Sequence, residues 1–184
     1  MTQDVEQARQ VLDFWFVEAG PKQWFNKSTS FDQVLTERFG ALHAAACRCE
    51  LYAWRQSSRG ALAEILLLDQ FSRNIYRDQA QAFAQDPLAL SLAQRLVARG
   101  DDETLPPEQR AFVYMPYMHS ESPVIHQEAL RLFDQPGLER NLDFERRHWA
   151  IIERFGRYPH RNAVLGREST PEERDFLRQP GSSF

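Results

Sequence analysis

The sequence predicts an all-α protein, on three observations. No stretch alternates apolar and polar residues over six or more positions, and no Asn-Gly or Asp-Gly pair joins two β-branched runs, so nothing nucleates a strand. Apolar residues recur instead every three or four positions, which gathers them on one face of a helix. Between these stretches stand the residues that start and stop helices: a hydroxyl or acid before, proline at the first helical position, glycine after.

Taken in order, Thr2 caps a first helix to about Ala19, with Val11, Phe14, Trp15 and Glu18 in helical spacing and Gly20-Pro21 closing it. A loop, PKQWFNKST, follows. Ser30 caps a second helix through Phe31, Val34, Leu35, Arg38, Leu42, Ala45 and Ala46 to about Trp54. A third runs from near Gly60 to about Ile75. Asp86-Pro87 caps and opens a fourth, carrying Leu88, Leu92, Leu96 and Val97 and stopping at Gly100. Pro106-Pro107-Glu108 opens a fifth, in which Pro116 removes a backbone donor and crowds the preceding turn, so a kink or an end is expected near Met115. Ser122-Pro123 starts a sixth, to about Phe133. Gly137 or Asn141 precedes a seventh that ends at Gly156, and Thr170-Pro171-Glu172-Glu173 is a capping box on a short last helix before an irregular tail, QPGSSF. About eight helices with short loops and no repeat of fixed period pack as successive antiparallel hairpins.

Length and composition fit one domain over residues 1–184: 42% of the 184 residues are hydrophobic and 26% charged, enough for a sizeable core under an ordinary surface. A net charge of −4 speaks against a nucleic-acid partner, which calls for a basic face. The start, MTQDVEQARQ, is too polar for a signal peptide, and the apolar run from Ala61 to Leu68 is far too short to cross a bilayer, so no membrane partner is expected. Cys47 and Cys49, two apart, cannot bridge or share a metal on a helix and read as reduced thiols, which places the protein in the cytoplasm.

Three polar motifs interrupt apolar helices. The third helix is apolar on almost every side (Leu62, Ile65, Leu66, Leu67, Leu68, Phe71) and should cross the middle of the core, yet Asp69 lies on its stripe, with Arg73 one turn on as the nearest partner and Asn74 beside it. In the seventh helix His148 shares the spacing of Phe144, Ile151, Ile152 and Phe155 and so points inward; Glu145 precedes it at a Glu-x-x-His spacing, but the second such motif of a di-iron bundle is missing. Arg154, Arg157, His160, Arg161 and Arg167 then arrive within a turn and a loop, suited either to an anionic ligand or to pairing with Asp69, Glu121 and Glu153. His119, Ser120 and Glu121 follow the Pro116 position, where they can line a cleft. No nucleotide, dinucleotide, serine-hydrolase or zinc-protease motif is present, so neither a reaction class, a cofactor nor a metal is indicated.

The strings LLLDQFSRNIYR, FVYMPYMHSE, RFGRYPHRNAVLGR and STPEERDFLRQPGSSF, with VLDFWF, the WF before FDQVLTERFG, and AFAQDPLAL, resemble the uncharacterised bacterial family catalogued as domain of unknown function 924 over nearly the whole chain. The resemblance implies an all-α fold of the tetratricopeptide-like superhelical kind, and no assigned activity. Positions matching its motifs include Asp69, Gln70, Arg73 and Asn74, then Met115, Pro116, His119, Ser120 and Glu121, then His148, Arg157, His160, Arg161 and Asn162.

Three functions remain open. In the first, a concave helical surface binds a small anionic molecule or the end of an acidic peptide: Arg73, Arg157 and Arg161 hold the anion, Asp69 and Glu121 orient them, His119 and His160 donate hydrogen bonds, and Asn74, His148 and Asn162 complete the pocket. In the second, His119, His148 or His160 serves as acid or base in an enzyme of unassigned class. In the third, aromatic surface at Trp15, Trp24 or Phe25 drives assembly. The oligomeric state is left open.

Overall fold

The computed structural model describes residues 3–184, and every regular element among them is helical. Thr2, the expected first cap, lies outside the described residues. Helix α1 (Gln3–Asp13) runs without a break into a π-helical turn, Phe14–Ala19, and stops at Gly20, whose φ of +65° only glycine adopts without strain. The stretch expected to be a loop contains one helical turn, α2 (Pro21–Trp24).

Helix α3 (Thr29–Cys47) is capped by Ser28 and not Ser30: the Ser28 hydroxyl accepts the Phe31 N–H at 3.3 Å, and Ser30 bonds the Ser28 hydroxyl instead. It ends at Cys47, seven residues before Trp54 (54 − 47), because Cys49 adopts a left-handed φ of +59° that a helix cannot propagate. The chain then doubles back through a 3₁₀ segment, Tyr52–Gln56, which puts Leu51 and Trp54 into the core.

The centre is one continuous rod. Helix α4 (Ser58–Leu66), capped by the Ser57 hydroxyl, passes through a second π-helical turn, Leu67–Phe71, into α5 (Ser72–Ile75). Every residue from Gly60 to Ser72 is buried, as the all-round apolar pattern requires. Glu64, buried in this rod, accepts from Nε and Nη2 of Arg55, each at 2.7 Å. The rod packs against α1, α6 (Asp86–Ala98) and α7 (Pro107–Met118) together.

Pro116 does not end α7: the helix continues to Met118, and the His119 N–H still reaches the Met115 carbonyl at 2.9 Å. Residues 111–118 are all buried, so packing outweighs the one lost backbone bond. Helices α8 (Pro123–Phe133) and α9 (Glu139–Phe155) follow, and α6 to α9 pack on one another in sequence order as hairpins. Gly156, at φ +68°, closes α9; a 3₁₀ turn (Pro159–Arg161) and α10 (Pro171–Leu177) complete the fold. The capping box of α10 forms in full, the Thr170 hydroxyl accepting from the Glu173 N–H at 3.1 Å and the Glu173 carboxylate from the Thr170 N–H at 2.8 Å. No helix among the described residues is long and apolar enough to cross a membrane.

Candidate functional site

Asp69 and Gln70 stand in the π turn of the central rod, a widened turn in which the backbone bonds slip from i+4 to i+5 and which often accompanies functional sites. Asp69 is 1% exposed and fully engaged. Its Oδ1 meets His119 Nδ1 at 2.7 Å and lies 3.0 Å from Arg73 Nη1, and its Oδ2 accepts from Gln70 Nε2 at 2.6 Å. Burial alone would raise this carboxyl's pKa, but the charge His119 carries when protonated, then the charge of Arg73 and the hydrogen bonds of His119 and Gln70, outweigh it and hold the group well below the usual carboxylate range. Burial and the charge of Arg73 push His119 the other way, towards the neutral form. With an ionised Asp69, the single imidazole proton belongs on Nδ1 and the Nε2 lone pair is left free on a partly exposed ring.

Arg73 and Arg161 converge on one further carboxylate. Arg73 donates to both oxygens of Asp86 at 2.9 and 3.0 Å, and Arg161 donates to Asp86 Oδ2 at 3.2 Å and to the His119 carbonyl at 2.9 Å. The Arg161 guanidinium is sandwiched between the rings of Phe83 and Tyr158, 4.5 and 4.7 Å from their centroids. Asp86, read from the sequence as a helix cap, instead occupies the first turn of α6 behind Gln85, with its side chain given over to these arginines. Two arginines and two aspartates therefore close around His119 with no net charge.

His148 and His160 flank the same place. His148 donates Nδ1–H to the Phe144 carbonyl at 2.8 Å and is pushed down to about 3, chiefly by burial. His160 is pushed down to about 3 by burial and then by the charges of Arg161 and Arg73; its Nδ1 is buried without a partner. Both rings lean on Tyr158, at 5.8 and 5.7 Å between centroids, and the Tyr158 hydroxyl donates to the Met118 carbonyl at 2.5 Å.

Behind Tyr158 lies a pair that the sequence reading missed. Glu145 does not join His148 in a metal motif but reaches across to α8, where its Oε1 meets His126 Nδ1 at 2.6 Å; His126 Nε2 donates to the Ser120 carbonyl at 2.7 Å. Both side chains are completely buried. The available signal was spacing: Glu145 falls three after Leu142 and three before His148 on the inward stripe of α9, and His126 three before Ala129 on α8. No group of three or more histidine, cysteine or acidic side chains suited to a metal ion occurs among the described residues.

The remaining sequence candidates serve two other networks. Glu121 is gripped by both terminal nitrogens of Arg167, at 2.7 and 2.9 Å, and accepts the Tyr158 N–H at 2.7 Å. Arg157 forks onto Glu173 at 2.6 and 2.8 Å, and Asn162 links that pair to Arg167 by donating to Glu173 at 3.3 Å and accepting from Arg167 Nε at 2.9 Å. Asn74 turns away towards α3, donating to Asp32 at 2.8 Å beside the Arg77–Asp32 ion pair. Thus Asp69, Arg73, His119, His148, His160 and Arg161 share one neighbourhood, Glu121, Arg157 and Asn162 brace the loop beside it, and Asn74 lies apart. The arginines pair with Asp86, Glu121, Glu172 and Glu173, and neither Asp69 nor Glu153 takes an arginine from the loop. Trp15 is wholly buried in the core and offers no assembly surface; Trp24 is half-buried against the core with its Nε1–H donated to the Trp15 carbonyl, and Phe25 is exposed. A polar depression of about 540 Å³ between α6, α7 and α8 is lined by none of the cluster residues; its Tyr114, Asp102, Arg110 and Gln135 bond to one another and leave the Arg110 Nε buried without a partner.

The family described as a bacterial protein of unknown function (DUF924) matches residues 11–181. The chain belongs to this family. Among solved structures, a protein of unknown function from Agrobacterium tumefaciens (ATU0120) is similar to this DUF924 chain at 41% identity and a TM-score of 0.91, over 96% of this chain and 99% of that one. No curated protein matches the DUF924 chain.

Proposed function

We propose that this DUF924 protein binds a small molecule at the face made by His119, His148 and His160, and that His119, oriented by Asp69, acts on it as a general acid–base. One observation carries the reading: a buried, fully engaged carboxylate fixes the Nδ1 proton of a partly exposed histidine and leaves Nε2 without a protein partner. A general base needs this arrangement, a neutral imidazole of fixed tautomer with its lone pair turned outward. Burial keeps His119 neutral at pH 7, and Arg73 keeps Asp69 ionised behind it.

The test requires no substrate. Diethyl pyrocarbonate acylates neutral, accessible imidazole, and peptide mass spectrometry of the full chain reads each histidine separately. His119 should react well ahead of the sealed His126, and Asp69→Asn, which no longer fixes the tautomer, should slow His119 several-fold while circular dichroism stays helical. An unreactive His119, or one indifferent to Asp69→Asn, overturns the reading.

A second reading, a small anion or acidic peptide end held by the arginines, is favoured by the buried Arg161 Nε, which has no partner. Its cost is also visible: the guanidinium forks of Arg73, Arg157 and Arg161 already hold Asp86 or Glu173, so an anion has to displace a carboxylate. This reading requires that inorganic phosphate raise the melting temperature of the wild type and not of Arg161→Lys. No rise in either removes it.

A further inference from the structure

We infer that the Phe184 ring occupies the subsite for an uncharged aromatic part of the ligand, a step that rests on the His119 site only in placing that ligand beside the base. The path of the tail makes the first argument. After α10 the chain turns at Gly181, at φ +77°, and Ser182 is buried with its hydroxyl donating to the Leu177 carbonyl at 3.1 Å. This anchor brings Phe184 back across the fold onto His148, His160 and Tyr158, at 3.9, 4.5 and 5.3 Å between ring centroids.

What the ring covers makes the second. Its floor consists of two imidazoles, both uncharged at neutral pH, and the edge of a buried tyrosine. His160 Nδ1 is buried there without a partner, an unmet hydrogen-bonding capacity that a phenyl ring cannot fill. The charges nearby cancel, Arg73 and Arg161 against Asp69 and Asp86, so the floor does not select an ion. A flat aromatic ring bearing a hydroxyl or N–H donor fits these surfaces better than the phenyl ring already present.

The third argument is how lightly the ring is held. Phe184 remains 54% exposed, so leaving the site forfeits little apolar burial, and an incoming ring has only that contact to displace.

Indole is the probe, being flat, uncharged and an N–H donor; cyclohexanol and benzoate are the non-aromatic and anionic controls. In the full chain, the imidazole C–H resonances of His148 and His160, assigned through His148→Gln and His160→Gln, report occupancy. Indole should shift both, and Phe184→Ala should reach half-saturation at an indole concentration lower by roughly three- to tenfold, the worth of one aromatic contact. Phe184→Leu, which retains an apolar plug without a ring, should fall between the two and serves if the alanine variant folds poorly. Equal half-saturation in wild type and variants, no shift in any of them, or controls as effective as indole would each overturn the inference. Carbethoxylation of His119 separates this from the preceding proposal: indole binding with a His119 indifferent to Asp69→Asn leaves the subsite standing without the base, and the converse leaves the base without the subsite.

Discussion

Two carboxylates buried against histidines are driven to opposite states by their other neighbours. Asp69 has Arg73 and Gln70 besides His119, and its pKa falls; Glu145 has His126 alone, its Oε2 has no partner, and burial drives its pKa up. The second pair is therefore best served by sharing one proton, and charge there is dispensable while hydrogen bonding is not. Glu145→Gln, whose amide donates to His126 Nδ1 while His126 Nε2 still donates to Ser120, should change unfolding free energy by no more than about 1 kcal/mol. His126→Ala, which strands the acid and opens a cavity, should cost about 3 kcal/mol or more. Urea denaturation ranks the two, and the reverse order would mean that a true ion pair holds α8 to α9. Which residues were legible follows the same logic. Asp69 and His148 could be read because each sits on an apolar stripe, Arg73 because it stands one turn from Asp69, and His119 because it follows Pro116. Asp86 could not, because Asp-Pro reads locally as a cap and its partner Arg161 lies 75 residues away. Helical spacing shows which face a side chain takes and not what it meets, which is why Asn74 went to Asp32 and Arg157 to Glu173.

At the scale of the element, the central rod begins under a constraint visible only in three dimensions. The 3₁₀ segment Tyr52–Gln56 crosses the start of α4 so closely that a Cβ on Gly60 would lie 2.1 Å from the Trp54 carbonyl oxygen. Glycine within a helix ordinarily forgoes about 1 kcal/mol relative to alanine, so at a neutral site Gly60→Ala would stabilise. Here the sign reverses: the obstacle is backbone, which cannot swing aside, and the substitution should destabilise by about 2 kcal/mol or more, read as a lower melting temperature. Helix starts and stops were largely written in the sequence because capping is local; Thr170, Gly156 and Gly20 acted as read. Ser28 and Ser30 bracket Thr29 in a run of three possible caps, and local chemistry did not choose between them. The two π turns have no local signature at all.

For the molecule as a whole, the histidines couple folding to pH. His148 and His160 accept a proton in the folded state only near pH 3, against 6.5 for an ordinary histidine, and His43 and His119 are lowered too. Between those values the unfolded chain binds more protons, so stability is fully present above pH 6.5 and is lost as pH falls towards 3. Burial and the neighbouring charges of Arg161 and Arg73 oppose protonation of His160, and burial opposes it at His148. Each of the two should withdraw up to about 2 kcal/mol by pH 5, so urea midpoints should fall steeply from pH 7 to pH 5, before most carboxylates titrate. A flat profile over that range would mean that these histidines take up protons without unfolding the chain. The hairpin order of α6 to α9 was foreseeable from short loops, and the buried course of α4 from its all-round apolar pattern. That α1, α6 and α7 all meet on that one rod emerges only from the packing.

The π turn at Leu67–Phe71 has a consequence for descent within the family. A widened turn is one residue inserted into an α-helix, so a relative that never acquired the insertion should show a single gap between the positions of Leu66 and Ser72 when aligned with this chain. One residue of an α-helix is a rotation of about 100°, enough to turn the flanking helical faces out of register with one another. In such a relative the aspartate and the histidine could both persist in the alignment and yet no longer meet, so this gap, rather than the loss of either residue, would mark the lineages without the pair.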